Sequence, residues 1–176
     1  MRIVGGTHKS RKIQAPRNLP LRPTTDFAKE SLFNILSNQF DLNTIRALDL
    51  FSGTGAISFE FASRGAQEVI AIEKNFNCFD FIRKKAIDFE FGSIRAVKGD
   101  AFRFLETCTE KFDIIFADPP YDLEERKDIP AHVFKGNLLN ENGRLIIEHS
   151  SKTSFSDEER FLEKRTYGEV NFSILG

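Results

Sequence analysis

The chain has 176 residues, of which 40% are hydrophobic and 29% are charged, and its formal net charge is −1. This composition is typical of one globular domain and excludes a disordered chain, and no apolar run approaches the roughly 18–20 residues of a membrane helix. The charge is uneven, because residues 1–25 carry a charge of +6 and the rest of the chain carries −7. We therefore expect a basic N-terminal segment on an acidic body.

The N-terminal quarter of the sequence predicts a hairpin, an irregular stretch and a helix. Two short strands, Arg2–Val4 and Arg11–Gln14, flank a polar turn. Prolines at positions 16, 20 and 23 predict an extended stretch. Helix caps at residues 24–26 and an apolar stripe then predict a helix over residues 26–38. We expect residues 1–24 to be a basic hairpin and arm, and residues 25–176 to be the main domain.

From residue 45 short apolar strands alternate with helical stretches. The predicted strands are Arg46–Phe51, Glu68–Glu73, Ile94–Lys98, Phe112–Asp118, Arg144–His149, Phe161–Thr166 and Glu169–Leu175. The predicted helices run from a glycine turn to about Arg64, over Asn75–Phe91, over Ala101–Thr107 and over residues 128–140. The second of these has an expected apolar face of Phe76, Phe79, Ile82, Ala86 and Phe89. The alternation predicts an α/β fold, with a mostly parallel seven-stranded sheet between two layers of helices and with ligands at the carboxyl ends of the strands.

The first of these strands runs into a turn that contains Gly53 and Gly55. Glycines permit a tight turn and a close approach by a ligand, although an ordinary strand-to-helix turn has the same residues. A dinucleotide motif would need a third glycine, and position 58 is Ser. Asp49 would repel a pyrophosphate but would attract a cation such as the ammonium group of S-adenosylmethionine (SAM). The segment therefore favours SAM over a nicotinamide cofactor.

Two further acids follow the next two strands. Glu73 ends the second strand, where a carboxylate can accept hydrogen bonds from the hydroxyls of a ribose, or can be a solvated loop acid. Asp100 ends the third strand and precedes Ala101. Its carboxylate can accept from the amine of an adenine, can cap the following helix, or can do both.

The segment Asp118-Pro119-Pro120-Tyr121 ends the fourth strand and is the most specific motif in the chain. Consecutive prolines cannot extend a sheet and they restrict the loop to one shape, which is also what a plain rigid turn requires. The Asp118 carboxylate and the Pro119 carbonyl would offer two acceptors to the two N–H groups of an exocyclic amine. Tyr121 would offer a ring for base stacking.

This DPPY segment resembles the catalytic motif of SAM-dependent amino-methyltransferases. The chain as a whole more closely resembles the RsmD-type 16S ribosomal RNA guanine-N2 methyltransferases. The resemblance is carried by Arg2–Gly6, Arg22–Asp26, Glu30–Leu36, Leu48–Gly55, Ser63–Ala66 and Phe112–Tyr121. It implies the Rossmann-like methyltransferase fold and a methyl transfer to guanine in small-subunit ribosomal RNA, within the assembled 30S particle.

The resemblance also implies roles for individual residues. Residues expected around SAM are Arg22, Thr24, Asp49, Phe51, Gly53, Gly55, Glu73, Lys74, Asp100, Ala101 and Asp118. Arg22, Pro23 and Thr24 would close over the methionine end of SAM and over the target base. Asp118, Pro119, Pro120 and Tyr121 would form the loop that methylates the amine. The chain departs from the family at residues 83–87, which lack an expected Asn, and contacts at residues 122–127 cannot be transferred.

The basic N-terminal segment is the expected contact with RNA phosphates, although a charge run can also be a solvated surface. Its basic residues are Arg2, Lys9, Arg11, Lys12, Arg17 and Arg22. The alternatives to the ribosomal RNA reaction are an adenine-N6 methyltransferase and a non-catalytic assembly factor with the same fold. An adenine enzyme would share the DPPY segment, so only a substrate test separates the two reactions.

The remaining expectations concern compartment, assembly and metals. The first residues lack the apolar region of a secretory signal, and Cys78 and Cys108 lack ligand spacing, so we expect reduced thiols and a cytoplasmic monomer. His8, His132 and His149 are dispersed, and no metal site is expected.

Overall fold

A computed structural model describes residues 1–15 and 24–176. Its strands are β1 (Arg46–Leu50), β2 (Glu68–Glu73), β3 (Ile94–Lys98), β4 (Phe112–Ala117), β5 (Leu139–His149), β6 (Phe161–Tyr167) and β7 (Val170–Leu175). Its helices are α1 (Asp26–Gln39), α2 (Ala56–Ser63), α3 (Phe76–Asp88), α4 (Ala101–Thr107) and α5 (Ile129–Lys135), with a 3₁₀ turn at Glu124–Asp128. None of the helices described is long and apolar enough to cross a membrane.

The seven strands form one sheet in the order β3-β2-β1-β4-β5-β7-β6. The first five of these neighbours are parallel, and β7 runs antiparallel between β5 and β6. The expected mostly parallel, seven-stranded sheet is therefore confirmed. This topology puts the carboxyl ends of β1, β2, β3, β4 and β5 at one edge.

Two apolar clusters cover the two faces of the sheet. In β2, Val69 and Ala71 belong to the first cluster, whereas Ile70 and Ile72 belong to the second. Successive residues of a strand point to opposite faces, so a continuous apolar run is buried on both sides. Residues of α1, α2 and α3 complete the first cluster, and residues of α4 and α5 complete the second. The expected helices on both faces are confirmed.

The helix α3 differs from its prediction in length and in orientation. It ends at Asp88, because Phe89 is its C-cap and Glu90 adopts a left-handed backbone with φ of 56°. The expected apolar face is partly wrong, since Phe76 is 58% exposed. The buried face instead consists of Cys78, Phe81, Ile82 and Ala86. Packing against the sheet selected the neighbouring stripe of the same helix.

The predicted helix over residues 128–140 is also wrong in extent. It ends at Lys135, and Asn137 reverses the chain with a φ of 51°. The chain then starts β5 at Leu139, which pairs with Phe112, five residues before the predicted start at Arg144. The predicted strand ends at Phe51 and Asp118 are each one residue too long.

The N-terminal hairpin forms, but it contains a single isolated bridge, between Arg2 and Lys12, in place of two strands. The Ile3 N–H donates to the Arg11 carbonyl at 3.0 Å, and the Ile13 N–H donates to the Met1 carbonyl at 2.9 Å. Ile3 and Ile13 are buried in the first apolar cluster. The hairpin is therefore packed into the core of the domain that follows it.

A buried ion network attaches the hairpin to α1 and α2. Glu60 and Lys29 are almost completely buried, and their charged atoms lie 3.9 Å apart. The Glu60 carboxylate accepts from the Val4 N–H and from Arg64 Nε, each at 2.9 Å. Lys29 Nζ donates to the Arg2 carbonyl. Each buried charge thus has polar partners in the hairpin or beside it, as burial requires.

We predict that Glu60→Gln destabilises the protein, because it removes the buried counter-charge of Lys29 and leaves only the partly exposed Asp26 carboxylate, 3.8 Å from Lys29 Nζ. Breaking a buried pair from one side costs about 3–5 kcal/mol when no other partner remains, and the Asp26 carboxylate reduces that cost here. Urea unfolding of Glu60→Gln and of the exposed Glu30→Gln on α1 measures the difference. Equal unfolding midpoints for the two variants would contradict the role of this network.

Candidate active site

A cavity of about 520 Å³ opens at the carboxyl edge of the sheet. This is where open α/β sheets bind ligands, and the volume suits a ligand of nucleoside size. Its lining includes these predicted site residues: Thr24, Asp49, Phe51, Gly53, Glu73, Lys74, Asp100, Ala101, Asp118, Pro119, Pro120 and Tyr121. Gly55 does not line the cavity, and Arg17, Arg22 and Pro23 lie outside the described residues.

The turn after β1 has an unusual backbone. Phe51, Gly53 and Gly55 all have positive φ, of 58°, 55° and 76°. A Cβ atom on Gly55 would lie 2.9 Å from Ile82 Cγ1, so this glycine permits α2 to pack closely against α3. Phe51 packs edge-on against Phe102, with ring centroids 6.0 Å apart. Gly55 therefore lies on the side of the turn that packs against α3, whereas Gly53 and Phe51 line the cavity.

Glu73 holds this turn in place. Its Oε2 accepts from the Gly53 N–H at 2.8 Å, and its Oε1 accepts from the Asn75 N–H at 2.6 Å. Each carboxylate oxygen has a second lone pair, so both bonds leave capacity for the hydroxyls of a ribose. The ribose contact stays a prediction, and the structure adds a backbone role that the sequence did not indicate.

Asp100 caps α4 as one of its two interpretations predicted. Its Oδ1 accepts from the N–H groups of Phe102 and Arg103, at 3.1 Å and 3.2 Å, and its Oδ2 lies 3.4 Å from Lys74 Nζ. Although burial raises the pKa of Asp100, the hydrogen bonds from Arg103 and Lys74 outweigh it and hold the pKa below its usual value. Asp100 also lines the cavity, so the cap does not prevent a contact with adenine. That contact stays a prediction.

Asp49 is 1% exposed and is held by α2. The Ser58 N–H donates to its Oδ2 at 3.1 Å, and the Ser58 hydroxyl donates to the same oxygen. Burial raises the pKa of Asp49 to about 7. A nearby positive charge would lower this raised pKa, because a cation favours the ionised form of the carboxylate.

Asp118 and the two prolines follow β4 into the same cavity. Burial, with the charges of Glu148 and Asp49, raises the pKa of Asp118 well above its usual value. Pro119 is buried and Pro120 is exposed. Tyr121 lines the cavity and is 45% exposed. Asp118 thus lines the cavity, while the Tyr121 ring is accessible to a ligand that enters from solvent.

The structure adds Glu148, which the sequence analysis placed in a strand but gave no role. It lies in β5, is 4% exposed and lines the cavity, and its Oε2 accepts from the Thr24 hydroxyl at 2.8 Å. Ala117, the last residue of β4, pairs with Ile147 of the parallel strand β5. Asp118 and Glu148 are the residues that directly follow this pair. The sequence signal that could have identified Glu148 is an acid directly after the apolar run of residues 145–147. The structure adds that this strand lies next to β4, which leads into the DPPY segment.

Five carboxylates of the described residues line the cavity, and three of them, Asp49, Asp118 and Glu148, come from the adjacent strands β1, β4 and β5 or directly follow them. Buried anions require positive partners, and this cluster disfavours a pyrophosphate. Within residues 1–15 and 24–176, no group of three His, Cys, Asp or Glu residues has a geometry that could hold a metal ion. A cationic nucleoside such as SAM fits the size, the charge and the polar groups of this cavity.

The fold and the cavity define a SAM-dependent methyltransferase with a Rossmann-like architecture. The model of the family described as "Conserved hypothetical protein 95" matches residues 1–176. The chain belongs to this family.

Named relatives and a solved structure are similar over most of the chain. The ribosomal RNA small subunit methyltransferase D of Escherichia coli K12 is 34% identical, over 84% of this chain and 71% of the relative. The protein of the same name from Buchnera aphidicola (subspecies Baizongia pistaciae) is 31% identical, over 86% of this chain and 76% of the relative. A hypothetical protein of Thermus thermophilus has the same fold, with a TM-score of 0.87 and 24% identity, over 99% of this chain and 98% of that one.

We predict that the ligand-free protein loses stability as pH rises, and that Asp49 contributes to this loss. The folded-state pKa of Asp49 is raised, so its contribution is complete below its usual pKa and is lost as pH rises through about 7. Between about pH 5 and pH 8, the free energy of unfolding should fall by on the order of 2–3 kcal/mol more in the native chain than in Asp49→Asn.

Urea unfolding at both pH values measures this difference. Asp41→Asn, at an exposed position, is the matched control and should behave as the native chain does. If Asp49→Asn and the native chain showed the same pH dependence, the raised pKa would be contradicted.

Proposed function

We propose that this chain transfers a methyl group from SAM to the exocyclic N2 amine of a guanine in small-subunit ribosomal RNA, within the assembled 30S particle. The observation that carries the proposal is the Asp118 carboxylate beside a rigid Pro119-Pro120 turn, in a cavity with two buried acids, Asp49 and Glu148. The names of the relatives support ribosomal RNA of the small subunit as the substrate class. The resemblance of the DPPY segment supports the amine as the acceptor.

The side of the cavity formed by β1, β2 and β3 would hold the cofactor. Bound SAM supplies a methyl group that is already activated by a positively charged sulfur. Gly53 lets the ligand approach the backbone, and Glu73 would accept from its ribose. Asp49 would attract its ammonium group, and Asp100 would accept from its adenine amine. The main contribution of these residues is to position the donor, which lowers the entropic cost of the reaction.

Asp118 would orient the target amine and stabilise it. Together with the Pro119 carbonyl, it accepts both N–H bonds, so the nitrogen lone pair points toward the incoming methyl group. Positive charge would develop on that nitrogen as its bond to the methyl carbon forms and the carbon–sulfur bond breaks, and the Asp118 carboxylate would stabilise this charge more than it stabilises the neutral amine. The raised pKa of Asp118 makes its carboxylate a suitable acceptor for the proton that the methylated nitrogen releases.

The basic hairpin lies beside this cavity. Arg2 Nε donates to Asp26 Oδ2 at 3.2 Å, at the start of the helix that follows Thr24 and Thr25 in the cavity wall. The hydroxyl of Thr54, another wall residue, lies 3.3 Å from Met1 Sδ. The side chains of Arg2, Lys9, Arg11 and Lys12 are exposed. We infer that residues 1–24 act as an RNA-contacting extension that leads the substrate to Tyr121.

The same proposal includes a cytoplasmic monomer. Cys78 and Cys108 are both free, and burial raises the pKa of the Cys78 thiol to about 11, which makes it unreactive. Free, unreactive thiols suit a reducing compartment. Size-exclusion chromatography with light scattering tests the monomer.

A methyl-transfer assay tests the reaction. Native protein, labelled SAM and unmodified small subunits should give one labelled nucleoside, which mass spectrometry identifies as N2-methylguanosine. Asp118→Ala should lower turnover by at least about 10²-fold, the loss typical of one transition-state contact, while calorimetry shows largely retained SAM binding. Labelled N6-methyladenosine would favour the adenine alternative, and no SAM binding by the native protein would favour the scaffold alternative.

We predict that Lys9→Gln with Lys12→Gln weakens binding to the small subunit in a salt-dependent way. Each lost phosphate contact removes roughly one unit from the slope of log K against log salt, so the double variant should lose about two. Lys135→Gln with Lys152→Gln, on other exposed elements, is the control. An unchanged slope in the hairpin variant would place RNA on another face.

A further inference from the structure

Glu148 lies on the side of the cavity away from Asp49 and Glu73, two of the residues assigned to the cofactor. The sheet order places β2 and β1, with Glu73 and Asp49, on one side of β4 and places β5 on the other. Asp118 follows β4, and Glu148 lies near the end of β5. A base whose amine meets Asp118 would therefore extend over Glu148.

The environment of Glu148 suits a hydrogen-bond acceptor for a ligand. It is 4% exposed, and the Thr24 hydroxyl donates to its Oε2 at 2.8 Å. A carboxylate has about four lone-pair positions, so it can accept from a ligand while it keeps this bond. Thr24 also restricts the rotation of the carboxylate, which a recognition contact requires. Glu148 and Asp118 both line the cavity, so the two groups face a common space.

Guanine has a donor pattern that matches two adjacent carboxylates. Its N2 amine is next to the ring N1–H, so the Watson–Crick edge presents two neighbouring donors. In adenine, the ring nitrogen next to the exocyclic amine is N1, which carries a lone pair and no hydrogen. Enzymes that act on a base read it by hydrogen bonds to this edge. A buried carboxylate at this position accepts from guanine and repels adenine.

We propose that Glu148 accepts a hydrogen bond from N1–H of the guanine whose N2 amine is held by Asp118, and thereby selects guanine over bases with an unprotonated N1. This inference rests on the proposed function and adds to it the residue that determines base specificity. A site that is built to hydrogen-bond a substrate N–H discriminates strongly against an analogue without it, since the buried acceptor then faces a lone pair in place of a donor. Thr24 acts as a positioning residue for Glu148.

The test compares guanine with 2-aminopurine, which keeps the amine at C2 but has an unprotonated N1. Small subunits are reconstituted with ribosomal RNA that carries either base at the mapped target nucleotide. For the native enzyme, kcat/KM should be at least about 10²-fold higher with guanine. Glu148→Gln has an amide that can donate to the unprotonated N1, so the preference should shrink to about tenfold or less, mainly through KM. Glu141→Gln, an exposed change on the same strand, should retain the native preference.

Two further measurements separate specificity from other roles. Calorimetry should give the same SAM affinity for Glu148→Gln and for the native enzyme, and thermal unfolding should show a folded variant. Weakened SAM binding, or an equal loss with both bases, would overturn the proposal and assign Glu148 to the cofactor or to structure.

The comparison of guanine with 2-aminopurine in the native enzyme tests the proposal even if Glu148→Gln fails to fold. If the native enzyme methylates guanine and 2-aminopurine equally well, the inference on Glu148 is wrong and the proposed function stands. If the native enzyme transfers no methyl group to guanine in unmodified subunits, the proposed function itself fails.

Discussion

The electrostatic cost of placing three carboxylates on adjacent strands, among the five described ones that line the cavity, is the constraint on which this site depends. Asp49, Asp118 and Glu148 converge from three adjacent strands, and burial raises the pKa of Asp49 and Asp118. The folded protein tolerates this cost because apolar clusters on both faces of the sheet stabilise the strands that carry the acids. A cation bound beside Asp49 relieves part of this repulsion, so Asp49 becomes a source of cofactor affinity and Asp118 a source of transition-state stabilisation.

Asp49 and Glu148 keep their positions through hydrogen bonds to backbone and hydroxyl groups. Ser58 holds Asp49, Thr24 holds Glu148, and Glu73 ties the turn at Gly53 to the start of α3. These contacts come from different segments of the chain, whereas the sheet register determines which acids become neighbours. A binding site of this kind is pre-organised, because few of its groups must move when the ligand arrives.

The parts of the site that local chemistry determines could be predicted from the sequence. Gly53 and the Asp118–Tyr121 segment follow apolar strands, and parallel strands bring their carboxyl ends to one edge. Glu148 could not be assigned in this way, since its partner Thr24 is 124 residues away and its role depends on the pairing of β4 with β5. The exposed Phe76 has the same cause, because periodicity permits two neighbouring stripes and only tertiary packing chooses between them.

The N-terminal hairpin shows why a local charge excess need not define a separate unit. Ile3 and Ile13 contribute to the main apolar cluster, and Glu60 of α2 accepts from the backbone of the hairpin. Since α2 also begins at the glycine turn and carries the serine that holds Asp49, the hairpin and the cavity share a rigid element. An RNA bound by the exposed basic side chains would therefore be held at a fixed distance from the cavity. This arrangement suits a substrate that has its own fixed shape, such as a folded ribosomal subunit, better than a flexible single strand.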